Sequence, residues 1–100
     1  MDYRVEMSIR AQRDYADLFA TIHAEDSAAA KWYRGLKRTI LSLEKMPSRC
    51  PDTREDARLK QVLYGRRLKV YRVTFRIVEK GKQVHILHIR RGARDHFKGA

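Results

Sequence analysis

The chain has 100 residues, room for one domain with one core and not for a second. Hydrophobic residues at 43% and charged residues at 35% exclude a disordered chain, and no stretch approaches the roughly 18 apolar residues of a membrane span. A net charge of +11 is more than solubility requires and attracts a polyanion or an acidic protein.

The elements follow in chain order. Tyr3, Val5, Met7 and Ile9 alternate with Arg4, Glu6, Ser8 and Arg10, the period of a strand with one buried face. Ala11, Tyr15, Leu18 and Ile22 then mark one face of a helix, with Ser8 placed as its N-cap. After a polar connection from His23 to Asp26, Ser27 or Asp26 caps a second helix over Ala28–Met46. Its apolar stripe is Ala29, Trp32, Leu36, Ile40 and Leu43, and Pro47 and Pro51 stop it. Helices joined so closely are expected to pair as a hairpin.

A polar loop over Pro51–Arg58 leads to a short strand at Leu59–Tyr64. Lys69–Glu79 is the clearest strand, with Tyr71, Val73, Phe75 and Ile77 on one face and Arg72, Thr74 and Arg76 on the other. Gly81 supplies a hairpin turn, and Val84–Ile89 is apolar on both faces, as a central strand is. Residues 90–100 form a basic, turn-rich tail, with a short helix or without fixed structure. The expected fold is α+β: β-α-α-β-β-β, a helical hairpin on one face of a small, curved, mainly antiparallel sheet.

Basic residues concentrate in the second half. Strand alternation throws Arg72 and Arg76 away from the helices, Lys60 joins them from the neighbouring strand, and Arg90, Arg91 and Arg94 follow the last strand. The result is a cationic face open to solvent. Such a face binds phosphates, stabilises the charge of RNA cleavage, or holds acidic protein segments. Few acids lie nearby in the chain, which favours these uses over ion pairing on a solvated face.

His85 and His88 stand three apart and point to opposite faces of a regular strand, so they do not share a metal, and no metal site or cofactor is expected. His88 is either a general acid or base or a packed, satisfied neighbour. Cys50, the one cysteine, excludes an intrachain disulfide and fits a reducing cytoplasm; its basic neighbour Arg49 can lower its pKa, but a loop cysteine without a role is the simpler reading. The start, Met1-Asp2-Tyr3-Arg4, has no apolar run of a signal peptide behind it.

Together these segments resemble the RelE/ParE superfamily of toxins from type II toxin–antitoxin systems, including plasmid stabilisation proteins. Tyr3-Arg4-Val5-Glu6 with Ser8 and Ala11 resembles their opening strand and helix start. Leu43-x-x-Met46-Pro47 resembles the end of their second helix, and Tyr71-Arg72-Val73-x-Phe75-Arg76-Ile77 their central strand. Val84–Ile89 followed by Gly92-Ala93-Arg94-Asp95 resembles their closing strand and signature. The resemblance implies a growth-inhibiting toxin neutralised by, and assembled with, a cognate antitoxin. ParE-like members inhibit DNA gyrase, and the closing segment resembles theirs more closely. RelE-like members cleave mRNA on the ribosome, as metal-independent endoribonucleases. In that alternative Arg72, Arg91, Arg94 and Lys60 are the catalytic candidates. The C-terminal tyrosine of several such members has no counterpart here, Phe97 standing nearest. Arg76, Arg90 and Arg94 are the residues expected to bind target or antitoxin.

Overall fold

Strand β1 (Arg4–Met7) leads into helix α1 (Ile9–Ala20), followed by helix α2 (Ser27–Leu41) and the strands β2 (Lys60–Tyr64), β3 (Tyr71–Val78) and β4 (Gln83–Arg91). The computed structural model describes residues 2–20, 27–65 and 70–91. The strands form one sheet in the order β1-β4-β3-β2. β1 runs parallel to β4, and β3 runs antiparallel to both β4 and β2. The expected element order and the central place of the last strand both hold.

Helix α1 starts where Ser8 makes it start. The Ser8 hydroxyl accepts the Ala11 N–H at 3.0 Å, capping one of the amides that the first turn leaves without a partner. The same hydroxyl donates to the Leu87 carbonyl at 2.9 Å and so ties the cap to β4. Helix α2 ends earlier than the apolar stripe suggests. It stops at Leu41, and a 3-10 turn over Ser42–Glu44 replaces its expected last stretch. Three residues per turn put Leu43 directly after Ile40 on the core side, so the stripe survives the change of helix type. Met46 then takes a left-handed conformation at φ 47°. The Arg49 guanidinium donates to the carbonyls of Lys45 (2.7 Å) and Met46 (3.1 Å), holding this reversal closed.

Ala11, Leu36, Ile40, Leu43, Cys50, Val73, Phe75, Val84, Ile86 and Ile89 form the core between the helices and the sheet. Trp32 packs against Tyr64 and Tyr71, at 5.1 and 5.4 Å between ring centroids, in the packing role its spacing implies. Tyr15 and Phe19 of α1 meet Tyr33 of α2. Cys50 is buried, unlike an open-loop cysteine. Burial pushes its thiol up in pKa, against the pull of Arg49 and Lys60, so the basic neighbours do not activate it.

The Tyr64 hydroxyl donates to the Trp32 carbonyl at 2.7 Å, and Gly35, one turn further along α2, leaves the room for it. A Cβ at Gly35 collides with that hydroxyl and stands 3.0 Å from the ring carbon that bears it. Gly35→Ala is therefore expected to destabilise the fold by about 1–3 kcal/mol, although alanine is the better helix former. Urea denaturation checks this, and adding Tyr64→Phe to the variant should restore part of the loss.

Candidate functional site

The sheet face turned away from the helices is set by register. On β3 it carries Arg72, Thr74 and Arg76. Their direct partners on β4 are Arg90, His88 and His85. The pairs Thr74–His88 and Phe75–Ile86 leave Leu87 as an extra residue, a bulge. One extra residue reverses the alternation. His85 and His88 therefore lie on the same face, not on opposite faces as a regular strand requires. The buried series Val84, Ile86, Ile89 carries the trace of this, since its spacing changes from two to three.

Helix α1 holds the bulge. Where β1 ends, β4 loses its neighbour on that side, and its next backbone groups need partners. Ser8 takes the Leu87 carbonyl, and the Asp14 carboxylate accepts the Ile89 N–H at 2.9 Å. Asp14 also lies 4.0 Å from Arg10, which brings that arginine to the same end of the sheet.

Arg72 does not project freely. Its Nη1 donates to both oxygens of Glu55, at 3.1 and 3.3 Å, and to Gln61 Oε1 at 3.4 Å. Its side chain is only 15% exposed. The loop before β2 thus returns an acid that sequence distance concealed. Thr74 is 2% exposed, so this end of the face is not open to solvent. Buried, unpartnered side-chain atoms among the described residues include Arg72 Nε, Thr74 Oγ1 and His88 Nδ1, grouped on this one patch. One ring nitrogen of His88, Nδ1, thus has no hydrogen-bond partner within the protein. Burial of its ring and the positive charges of Arg90, Arg10 and Arg72 hold its pKa below the usual histidine range, with Asp14 opposing them.

At the other end, Arg76 Nη2 lies 3.5 Å from His85 Nδ1, and His85 Nε2 lies 2.8 Å from Gln83 Oε1. An arginine only donates, so in this pair His85 Nδ1 is the acceptor. Glu6, Met7, Ser8 and Leu87 complete a shallow groove around this pair.

Of the residues singled out from the sequence, Arg72, Arg76 and Arg90 share this face. Lys60 does not. It is paired with Phe75 on the helix-bearing face, and its ammonium donates to the Cys50 carbonyl and Asp52, both at 3.0 Å. Gln61 takes the place expected of Lys60 beside Arg72. Arg90 and Arg91 belong to β4 rather than following it, and Arg91, opposite Tyr71, is on the other face from Arg72. Arg94, His23, His96, Phe97 and the Gly92-Ala93-Arg94-Asp95 segment lie outside the described residues. So do Arg66, Arg67 and Lys69. Arg10 and Glu55 carried no sequence signal, because α1 and the loop before β2 bring them to the site only in the folded chain. Among the described residues no group of three or more His, Cys, Asp or Glu is placed to hold a metal ion, and no helix is long and apolar enough to cross a membrane.

Two helices on a four-stranded mixed sheet, with an arginine-rich opposite face, make the RelE/ParE-like fold. The family model described as the ParE toxin of the type II toxin–antitoxin system parDE matches residues 5–96, and the chain belongs to that family. No curated protein matches. Solved structures share the fold at low identity. The chromosomal ParDE system of P. aeruginosa superposes with a TM-score of 0.70 at 16% identity, covering 89% of this chain and 95% of that one. A mutant of the E. coli toxin RelE in the free state gives 0.65 at 12%, covering 99% and 93%. The toxin–antitoxin complex RelBE2 of Mycobacterium tuberculosis gives 0.62 at 21%, covering 91% and 99%.

Two measurements test the site. Asp14→Ala removes the acceptor of the Ile89 N–H and is expected to cost about 1–3 kcal/mol by chemical denaturation. The second concerns His88. The folded state disfavours its protonation, while the unfolded chain titrates near the ordinary value of 6.5. Above that pH both states are neutral and His88 adds no pH dependence. Below it the unfolded chain binds a proton first, so stability falls with pH. His88→Gln should remove part of the stability lost between about pH 7.5 and about pH 5.5, and equal losses in both proteins count against the assignment.

Proposed function

We propose that this chain arrests growth by inhibiting DNA gyrase and that a cognate antitoxin neutralises it by forming a complex with it. The observation that carries this reading is the ParE family match across residues 5–96. The similarity to the P. aeruginosa ParDE system and to RelBE toxin–antitoxin complexes supports the antitoxin partner. The charge of +11 suits an acidic or amphipathic antitoxin segment that orders on binding. Arg76 and Arg90, on the strand face, and Arg94 beyond it are the contact residues for target or antitoxin. The protein works as a single domain in the cytoplasm, where gyrase and the ribosome operate.

The second reading is cleavage of mRNA on the ribosome. One arrangement favours it: a neutral histidine, His88, sits among Arg72, Arg90 and Arg10, a combination able to move a proton beside developing phosphate charge. In this reading Arg72 supplies the charge, His88 replaces Lys60, and Arg90 replaces Arg91.

Expression of the toxin alone in bacteria separates the two. Under the gyrase reading, labelled thymidine incorporation falls first and a DNA-damage response follows. The purified protein then inhibits gyrase supercoiling, and Arg72→Ala retains that inhibition within about threefold, the range of a partly exposed ion pair. Methionine incorporation falling first, with toxicity lost in Arg72→Ala, overturns it in favour of RNA cleavage. Glu55 is 62% exposed, so the substitution leaves no buried charge behind.

A further inference from the structure

Helix α2 carries four cations, Lys31, Arg34, Lys37 and Arg38, and no acid. At 3.6 residues per turn, Lys31, Arg34 and Arg38 fall within about 60° of one another around the helix axis, and Lys37 flanks them. All four are exposed, while Leu36 and Ile40 on the other side of the helix are buried. The row therefore looks away from the core, on the side of the molecule opposite the arginine-bearing sheet face. None of the four has a hydrogen bond or ion pair among the described residues. Other exposed cations do: Lys45 has Asp2, and Lys82 has Glu79. Asp14 on the neighbouring helix is turned instead to Arg10 and the Ile89 N–H. Like charges three and four residues apart oppose helix formation, and a surface that serves solubility alone intersperses the two signs.

We propose that this face of α2 is a docking surface for the sugar–phosphate backbone of a nucleic-acid duplex, separate from the sheet face. A rise of 1.5 Å per residue spreads Lys31 to Arg38 over about 10 Å, a length in which one strand of a duplex presents about three phosphates. The centre of a protein interface is apolar and poor in lysine. Here the outward row has no apolar side chain before Leu41, which stands at the helix end. A helix that lies on a membrane sinks an apolar face into it, and α2 has already buried its own in the core. The row also holds no amide or aromatic side chain to read or stack on bases, so the contact positions the toxin without reading sequence. The inference does not rest on either reading of the target.

The test is an anisotropy titration of a labelled DNA duplex of about two helical turns with the purified toxin, repeated over a range of salt concentrations. Each phosphate neutralised contributes about −0.9 to the slope of log K against log salt. Arg34→Gln with Arg38→Gln should flatten that slope by about 2 and raise the apparent Kd at low salt by about tenfold or more. Arg58→Gln with Lys80→Gln removes the same net charge from exposed positions elsewhere and should flatten it by less than about 1. Equal flattening by the two double variants overturns the proposal, because overall charge then accounts for the binding; so does absence of duplex binding by the parent protein. Vesicles of phosphatidylserine and phosphatidylcholine, and poly-glutamate, are the competing probes. Loss of binding to either by the α2 variant, with duplex binding retained, overturns the choice of partner. Glutamine is a good helix former and the variant removes a like-charge pair, so its urea midpoint should equal or exceed that of the parent. If it does not fold, Lys31→Gln with Lys37→Gln decides, with the same expected change of slope.

Discussion

Between Ile86 and His88 the central strand carries one residue that its partner strand does not match. That extra residue, Leu87, turns the second half of β4 over. It brings His88 to the arginine side while keeping Ile89 in the core, and it aligns Arg90 with Arg72. The site therefore rests on a local break in strand regularity. Bulges of this kind re-aim side chains, and they persist where neighbouring groups satisfy the backbone they disrupt. Here the satisfying groups are the Ser8 hydroxyl, which caps α1, and the Asp14 carboxylate on α1 itself. One helix thus stabilises its own N-terminus, fixes the bulge and delivers Arg10 to the patch.

The electrostatics follow from this geometry. An excess of +11 distributed evenly would only repel itself. The fold divides it instead. Lys60 is spent on Asp52 and the Cys50 carbonyl, and Arg49 on the carbonyls of its own turn. Arg72 is steadied by Glu55, which orients its guanidinium rather than cancelling the patch, because Arg10 and Arg90 remain close. The neutral His88 and the buried Thr74 hydroxyl are polar without being charged.

Membership of the ParE toxin family makes this surface part of a toxin of a type II toxin–antitoxin system. Gly35 and Tyr64 show what the opposite side of the sheet contributes. The close approach of α2 to β2 seals the core, so the arginine face can give up hydrophobic cover without exposing the interior.

Periodicity along the chain was enough to find the elements, their order, the Ser8 cap and the core stripe from Trp32 to Leu43. These depend on local hydrogen bonding and on which residues avoid water, and both are written in residue spacing. The alternation of β3 likewise placed Arg72 and Arg76 on one face. Three placements needed the tertiary structure. Lys60 turned inward because the pairing of β2 with β3 sets Lys60 opposite Phe75, and strand register is a property of two segments together. His88 changed faces because a bulge is decided by what the neighbouring helix can bind, which a strand's own residues do not reveal. Arg72 found Glu55, seventeen positions earlier, through a loop whose path depends on the whole sheet. The sequence by itself determined the fold, the family and the excess of positive charge; the tertiary structure alone decided which of those charges meet, because only folding converts distance along the chain into distance in space.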